Sequence, residues 1–104
     1  MEIIKKLSEQ IGEELEDAEK YAKLALLHQS THPELAKTYY DLSTEEMHHV
    51  DMLHANVTRL IEKHRKEHGD PPAPMMAVYE YLHKKHIEEA AEIKIYQAQF
   101  REHM

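Results

Sequence analysis

Apolar residues recur along the chain at intervals of three and four, and no stretch alternates strictly between apolar and polar. A period near 3.6 predicts helices. The first segment carries a stripe of Ile4, Leu7, Ile11, Leu15, Ala18, Ala22 and Ala25. The second carries Leu35, Tyr39, Leu42, Leu53 and Leu60, and the third Met75, Tyr79, Leu82, Ile93, Tyr96 and Phe100. Two breaks separate them, Ser30-Thr31-His32-Pro33 and Gly69-Asp70-Pro71-Pro72-Ala73-Pro74. Proline lacks the backbone donor that a continuing helix needs. The predicted helices therefore cover 2–29, 32–68 and 74–103. Thr31 and Glu34 have the spacing of a capping box at the second helix. Gly69 suits the position just past its end. The expected fold is all-α, one domain with a long antiparallel helical hairpin and a third helix. A helix of about 37 residues, at about 1.5 Å each, runs about 55 Å, too long to be covered within a compact monomer.

The stripes are broken at three positions. On the first helix the series 4, 7, 11, 14, 18 meets Glu14, and on the second the series 35, 39, 42, 46, 49, 53 meets Glu46 and His49. A charged group on a core face is costly unless it is paired or binds metal. Glu46 and His49 are three apart and share a helix face, where a carboxylate and an imidazole can grip one ion. The Glu-x-x-His motif alone decides little. With 16 glutamates and 10 histidines, it occurs three times, as Glu45/His48, Glu46/His49 and Glu80/His83. Chance supplies about one or two. Phase decides more. Glu45 and His48 fall with Thr38, Asp41 and Arg59 on a polar face, whereas Glu46 and His49 fall with Tyr39, Leu42 and Leu53. Only the second pair is expected to point into a core, facing Glu14 across the hairpin.

Composition sharpens this picture. A chain of 104 residues buries a thin core alone, so a homodimer or higher homo-oligomer is expected. The net charge of −7 argues against nucleic acid as a partner and is compatible with attracting cations. There is no cysteine, so disulfides, iron–sulfur clusters and thiolate zinc sites are excluded. Carboxylates and imidazoles suit iron, manganese or zinc, and admit calcium. The opening MEIIKKLSEQ lacks the apolar stretch of a signal peptide. No window approaches the ~18 apolar residues of a membrane span. A cytoplasmic protein with no membrane partner is expected.

Glu13-Glu14-Leu15-Glu16-Asp17-Ala18-Glu19-Lys20-Tyr21, followed by Glu45-Glu46-Met47-His48-His49, resembles the ferritin-like superfamily. Within it the pattern is most similar to encapsulated-ferritin-type proteins, over about residues 10–55. The resemblance implies a two-helix half-ferritin whose dimerisation completes a four-helix bundle and a di-iron ferroxidase centre at the interface. It implies Glu14, Glu46 and His49 as the iron ligands and catalytic residues, with Glu46 bridging. Tyr21 would stand just outside them, and Glu45 is the acidic residue preceding the motif. Glu13 and Glu16 would be carboxylates that hand metal inward, although read by themselves they are a solvated acidic face. Fe(II) would be oxidised with dioxygen or peroxide as electron acceptor. Lys20 stands where the resemblance leads one to expect an aromatic residue. A long helix, not a glycine-rich apolar tail, follows residue 69. These departures speak against a ring and against an encapsulin shell as partner, but not against the dimeric site.

On the third helix His86 and Glu89 fall near the apolar stripe. They offer a secondary metal site or hydrogen bonds at an interface. His64 and His68 close the second helix, where the helix dipole favours histidine without any ligand role. Two other functions fit the same residues. One is a non-catalytic bundle stapled by a metal ion, and the other is a purely structural module of amphipathic helices.

Overall fold

The three periodic segments are three α-helices in the computed structural model, which describes residues 1–104: α1 (Glu2–His28), α2 (Pro33–His68) and α3 (Ala73–Glu102). The expected capping box does not form. Proline at the first helical turn is preorganised by its fixed φ, so α2 begins at Pro33 and His32 becomes its N-cap, one residue past Thr31. No side chain caps the helix, and the Thr31 hydroxyl lies 3.0 Å from Nδ1 of His32 instead. Gly69 ends α2 as expected, at φ 80°, with its N–H donated to the Arg65 carbonyl.

The chain runs up, down and up. The N-terminal amine approaches Met75 Sδ at 3.2 Å, and Gln29 Nε2 donates to the Phe100 carbonyl at 3.1 Å, so α3 lies parallel to α1. Arg101 donates to the Tyr40 hydroxyl at 3.0 Å, so α3 opposes α2. α3 rests mainly on α1 and touches α2 sparsely. The molecule measures 55 × 19 × 18 Å, the length of its longest helix by about two helix diameters. No helix is long and apolar enough to cross a membrane.

The α1 stripe is buried as its period predicts, except that Leu7 is half-buried. The expectation for α2 requires correction. Its buried positions are Ala36, Ser43, Val50, Val57 and Ile61, not the series through Leu35, Tyr39, Leu42 and Leu53. Those last residues are half-buried, and Leu35 is exposed. α2 thus has two adjoining apolar strips. One packs on α1 and beneath α3, and the other lies half-buried at the edge of the core. Glu46 and His49 belong to this edge strip, so they lie toward the open side of the hairpin and not in the core of this chain. Most of the main core runs from Ile4, Ile11 and Leu15 of α1 through Val50 and Val57 of α2, with Ile93 from α3.

One buried polar link ties all three helices. Ser43 donates its hydroxyl to the Ala18 carbonyl at 2.7 Å, and Gln97 Nε2 donates to Ser43 Oγ at 2.9 Å. Neither Ser43 nor Gln97 is reached by bulk water to any extent. The link fixes the α1–α2 register one helical turn from Glu14 and from Glu46.

Candidate metal centre

Glu14 sits midway along α1, behind the buried Leu15 and Ala18. Glu46 and His49 sit one turn apart on α2, on either side of the strip that flanks Val50. The geometry brings the three together. Nδ1 of His49 lies 3.4 Å from Oε2 of Glu14 and 3.7 Å from Oε2 of Glu46. One donor atom from each residue falls within 4.8 Å of the other two, and no other trio of histidine, aspartate or glutamate converges in this way.

The carboxylates are set back and the imidazole is more open. Side-chain exposure is 23% for Glu14, 19% for Glu46 and 50% for His49. Oε2 of Glu46 is buried and has no hydrogen-bond partner. A buried acceptor left unpaired forfeits its desolvation energy, and more so when charged. With its proton on Nδ1, His49 donates to Glu14. With Nδ1 bare, a nitrogen lone pair points among two carboxylates, the arrangement a divalent cation requires. The donor set is hard to borderline, two oxygens and one nitrogen, which suits iron, manganese or zinc. Gln10, Met52 and Leu53 border the shallow cleft through which Glu14 and His49 reach solvent.

The surrounding residues divide clearly. Tyr21 lies on the Glu14 side of α1 but stacks on Tyr39, with centroids 6.0 Å apart, and Tyr39 stacks in turn on His28. Lys20, where an aromatic was expected, places its ammonium 5.5 Å from the Tyr21 ring centroid. Glu13, Glu16 and Glu45 are exposed and do not join the trio. Glu16 sits near enough to Glu89 of α3 to act on its carboxyl. His86 and Glu89 gather no third donor. Nε2 of His86 would lie 3.5 Å from a Cβ at Gly12. Glu89 is half-buried, and burial pushes its carboxyl above the usual range while Lys85 pulls it down.

Two features escaped the sequence reading. The Ser43–Gln97 link had a signal, since Gln97 interrupts the stripe between Ile93 and Phe100. A stack of His54 on His83 had none, because it joins positions 29 apart on different helices. Comparison of the chain with known protein families, with curated proteins and with solved structures gives no match.

Proposed function

We propose that this chain is one half of a di-iron ferroxidase, completed when two copies pair through the open side of the α1–α2 hairpin. The observation that carries the reading is the convergence of Glu14, Glu46 and His49 around a buried carboxylate oxygen with no partner, on a face that α3 leaves bare. One copy offers two carboxylates and one imidazole. Two copies offer four carboxylates and two imidazoles, the ligand complement of helical di-metal bundles. The half-buried Tyr39, Leu42 and Leu53 around the trio would supply the apolar seam.

Fe(II) is the substrate in this reading. Two ferrous ions each give up one electron, and dioxygen with two protons leaves as hydrogen peroxide. Four carboxylates balance the charge of a ferrous pair and attract the more highly charged ferric pair more strongly still, so the site favours the ferric product. The chain's residues hold and orient the ions, and the net charge of −7 raises the local cation concentration. No side chain needs to act as a proton shuttle.

The shared nature of the site is testable by separating the copies. Leu53→Lys places an ammonium in the proposed seam, where burying its charge on pairing is costly. The variant should sediment as a monomer and lose iron oxidation while keeping its helical circular dichroism. A monomeric variant that oxidises iron at the wild-type rate would refute the shared site.

A further inference from the structure

A second group of ring side chains lies where α2 meets α3, away from the Glu14 trio. His54 of α2 stacks on His83 of α3, with centroids 4.7 Å apart and planes 9° from parallel. Tyr79, one turn earlier on α3, stacks on His83 at 5.7 Å and 10°. All three are half-buried. They lie where α2 and α3 touch only sparsely.

The two ends of α3 are held differently. Its buried residues, Ile93, Gln97 and Phe100, all lie in its last third. There Gln97 bonds Ser43, Phe100 stacks on Tyr40 at 4.8 Å, and Gln29 donates to the Phe100 carbonyl. None of these groups changes charge between about pH 5 and 8. Residues 73–92 include no buried residue. A groove of about 240 Å³, lined by Ile4, Met75, Tyr79 and Leu82 among others, lies between α1 and the start of α3, and only the half-buried Tyr79 and Ala90 of this part pack on the main core.

We infer that residues 73–92 of α3 form an acid-released flap, held to α2 by the His54–His83 stack and freed when the His83 ring takes up a proton. The segment opens between two fixed points, the buried Pro71 and the Ile93–Phe100 clamp. Uncharged imidazoles stack face to face. Protonated ones at this separation repel, and half-burial weakens the screening.

The groups facing the stack do little to offset that charge. Glu62 and Arg65 of α2 and Glu80 of α3 line the same groove. Arg65 pairs with Glu62 and Asp70, and neither Glu62 nor Glu80 forms an ion pair with His54 or His83. On α3, Lys85 adds positive charge beside His86. α1 presents uncharged Gly12 to His86, and its Glu16 and Glu19 act on Glu89 further along.

Burial, and then the charge of His54, holds His83 below the ordinary histidine value of 6.5. Burial lowers His86 likewise, aided by His83 and Lys85. The docked flap therefore refuses protons that the released flap accepts. Docking is intact above pH 6.5 and weakens as pH falls below it, by up to about tenfold per pH unit for each proton taken up. Glu89 opposes this, because its raised carboxyl favours docking in acid. It lies toward the clamped end.

This inference does not depend on metal binding, and its test uses the metal-free full chain. Amide hydrogen exchange is followed at about pH 7.5 and about pH 5.5, on either side of the histidine range, with rates normalised for intrinsic pH dependence. In acid, protection of residues 73–92 should fall relative to residues 93–102, by at most about tenfold per pH unit for each proton taken up. His83→Phe keeps a stacking ring without a titrating nitrogen and should shrink the difference, and adding His86→Phe should abolish it. Protection that ignores pH, loosening of 93–102 in step with 73–92, or an acid response as large in His83→Phe as in the wild type would overturn the flap. Should that variant fail to fold, histidine C2-proton titration of the wild type decides instead. The inference requires His83 to titrate below 6.5, and titration at or above that value overturns it.

Discussion

Oε2 of Glu46 is buried without a hydrogen-bond partner, and the Nδ1 of His49, one helical turn on, stands 3.7 Å from it. The two are held near each other but too far apart for a strong bond. A cation between them would satisfy both, and without one the carboxylate is a liability to the fold.

Glu46→Leu should therefore stabilise the metal-free protein by about 1 kcal/mol or more, because it removes a buried acceptor that nothing pairs. Wild-type protein should gain about 2.7 kcal/mol when divalent metal is supplied at about a hundredfold over its Kd. The variant should gain none. Urea denaturation with and without metal measures both effects. A variant less stable than wild type without metal would show that Glu46 already has a partner.

Ser43→Ala removes the hinge pin between the three helices. Gln97 then keeps a buried amide with no acceptor, and the expected loss is about 1–3 kcal/mol. The register of Glu14 against Glu46 loosens with it, so metal affinity should fall along with the denaturation midpoint. Gln97→Met fills the space without a polar group and should restore part of the stability to the Ser43→Ala protein.

Gly69 has φ 80° and ψ −167°, a conformation almost confined to glycine. Nothing crowds the position of an added Cβ, so Gly69→Ala isolates backbone strain. It should cost about 1–3 kcal/mol, read from the urea midpoint, and leave the metal centre unchanged.

Glu89 titrates above the ordinary carboxylate value of 4.5, chiefly through burial, with Lys85 opposing. Its folded-state value exceeds its unfolded one, so the folded chain binds more protons. The stability it contributes is present in acid and is lost as pH rises through the folded value. Glu89→Gln should raise the Tm at neutral pH, and its advantage should shrink as pH falls toward 4.5. Scanning calorimetry across that range checks the sign. A constant difference at every pH would mean that the carboxyl is not its source.

Three helices, their breaks at Pro33 and Gly69 and the buried α1 stripe were legible because each rests on local chemistry. The capping box was misread for a local reason too, since Pro33 claims the first turn and shifts the N-cap to His32. The α2 face could not be read by period. Ala36, Ser43, Val50 and Val57 recur every seven residues beside the larger Leu35, Tyr39, Leu42 and Leu53. Periodicity finds both strips and does not say which one this chain covers. The small and β-branched strip admits close helix approach and is the one buried. The Glu14–Glu46–His49 trio was legible because polar residues broke two stripes in matching phase. The His54–His83 stack was not legible because it joins distant positions on two different helices.

The central claim rests on iron. Metal-free protein is titrated with Fe(II) under anaerobic conditions, then exposed to air while near-ultraviolet absorbance is followed. The account predicts saturation near about one iron per chain, two per pair of chains, with fast oxidation that is lost in Glu46→Ala and in His49→Ala. Absence of iron binding, or oxidation unchanged in both variants, would contradict it, and binding without accelerated oxidation would reduce the site to a metal staple.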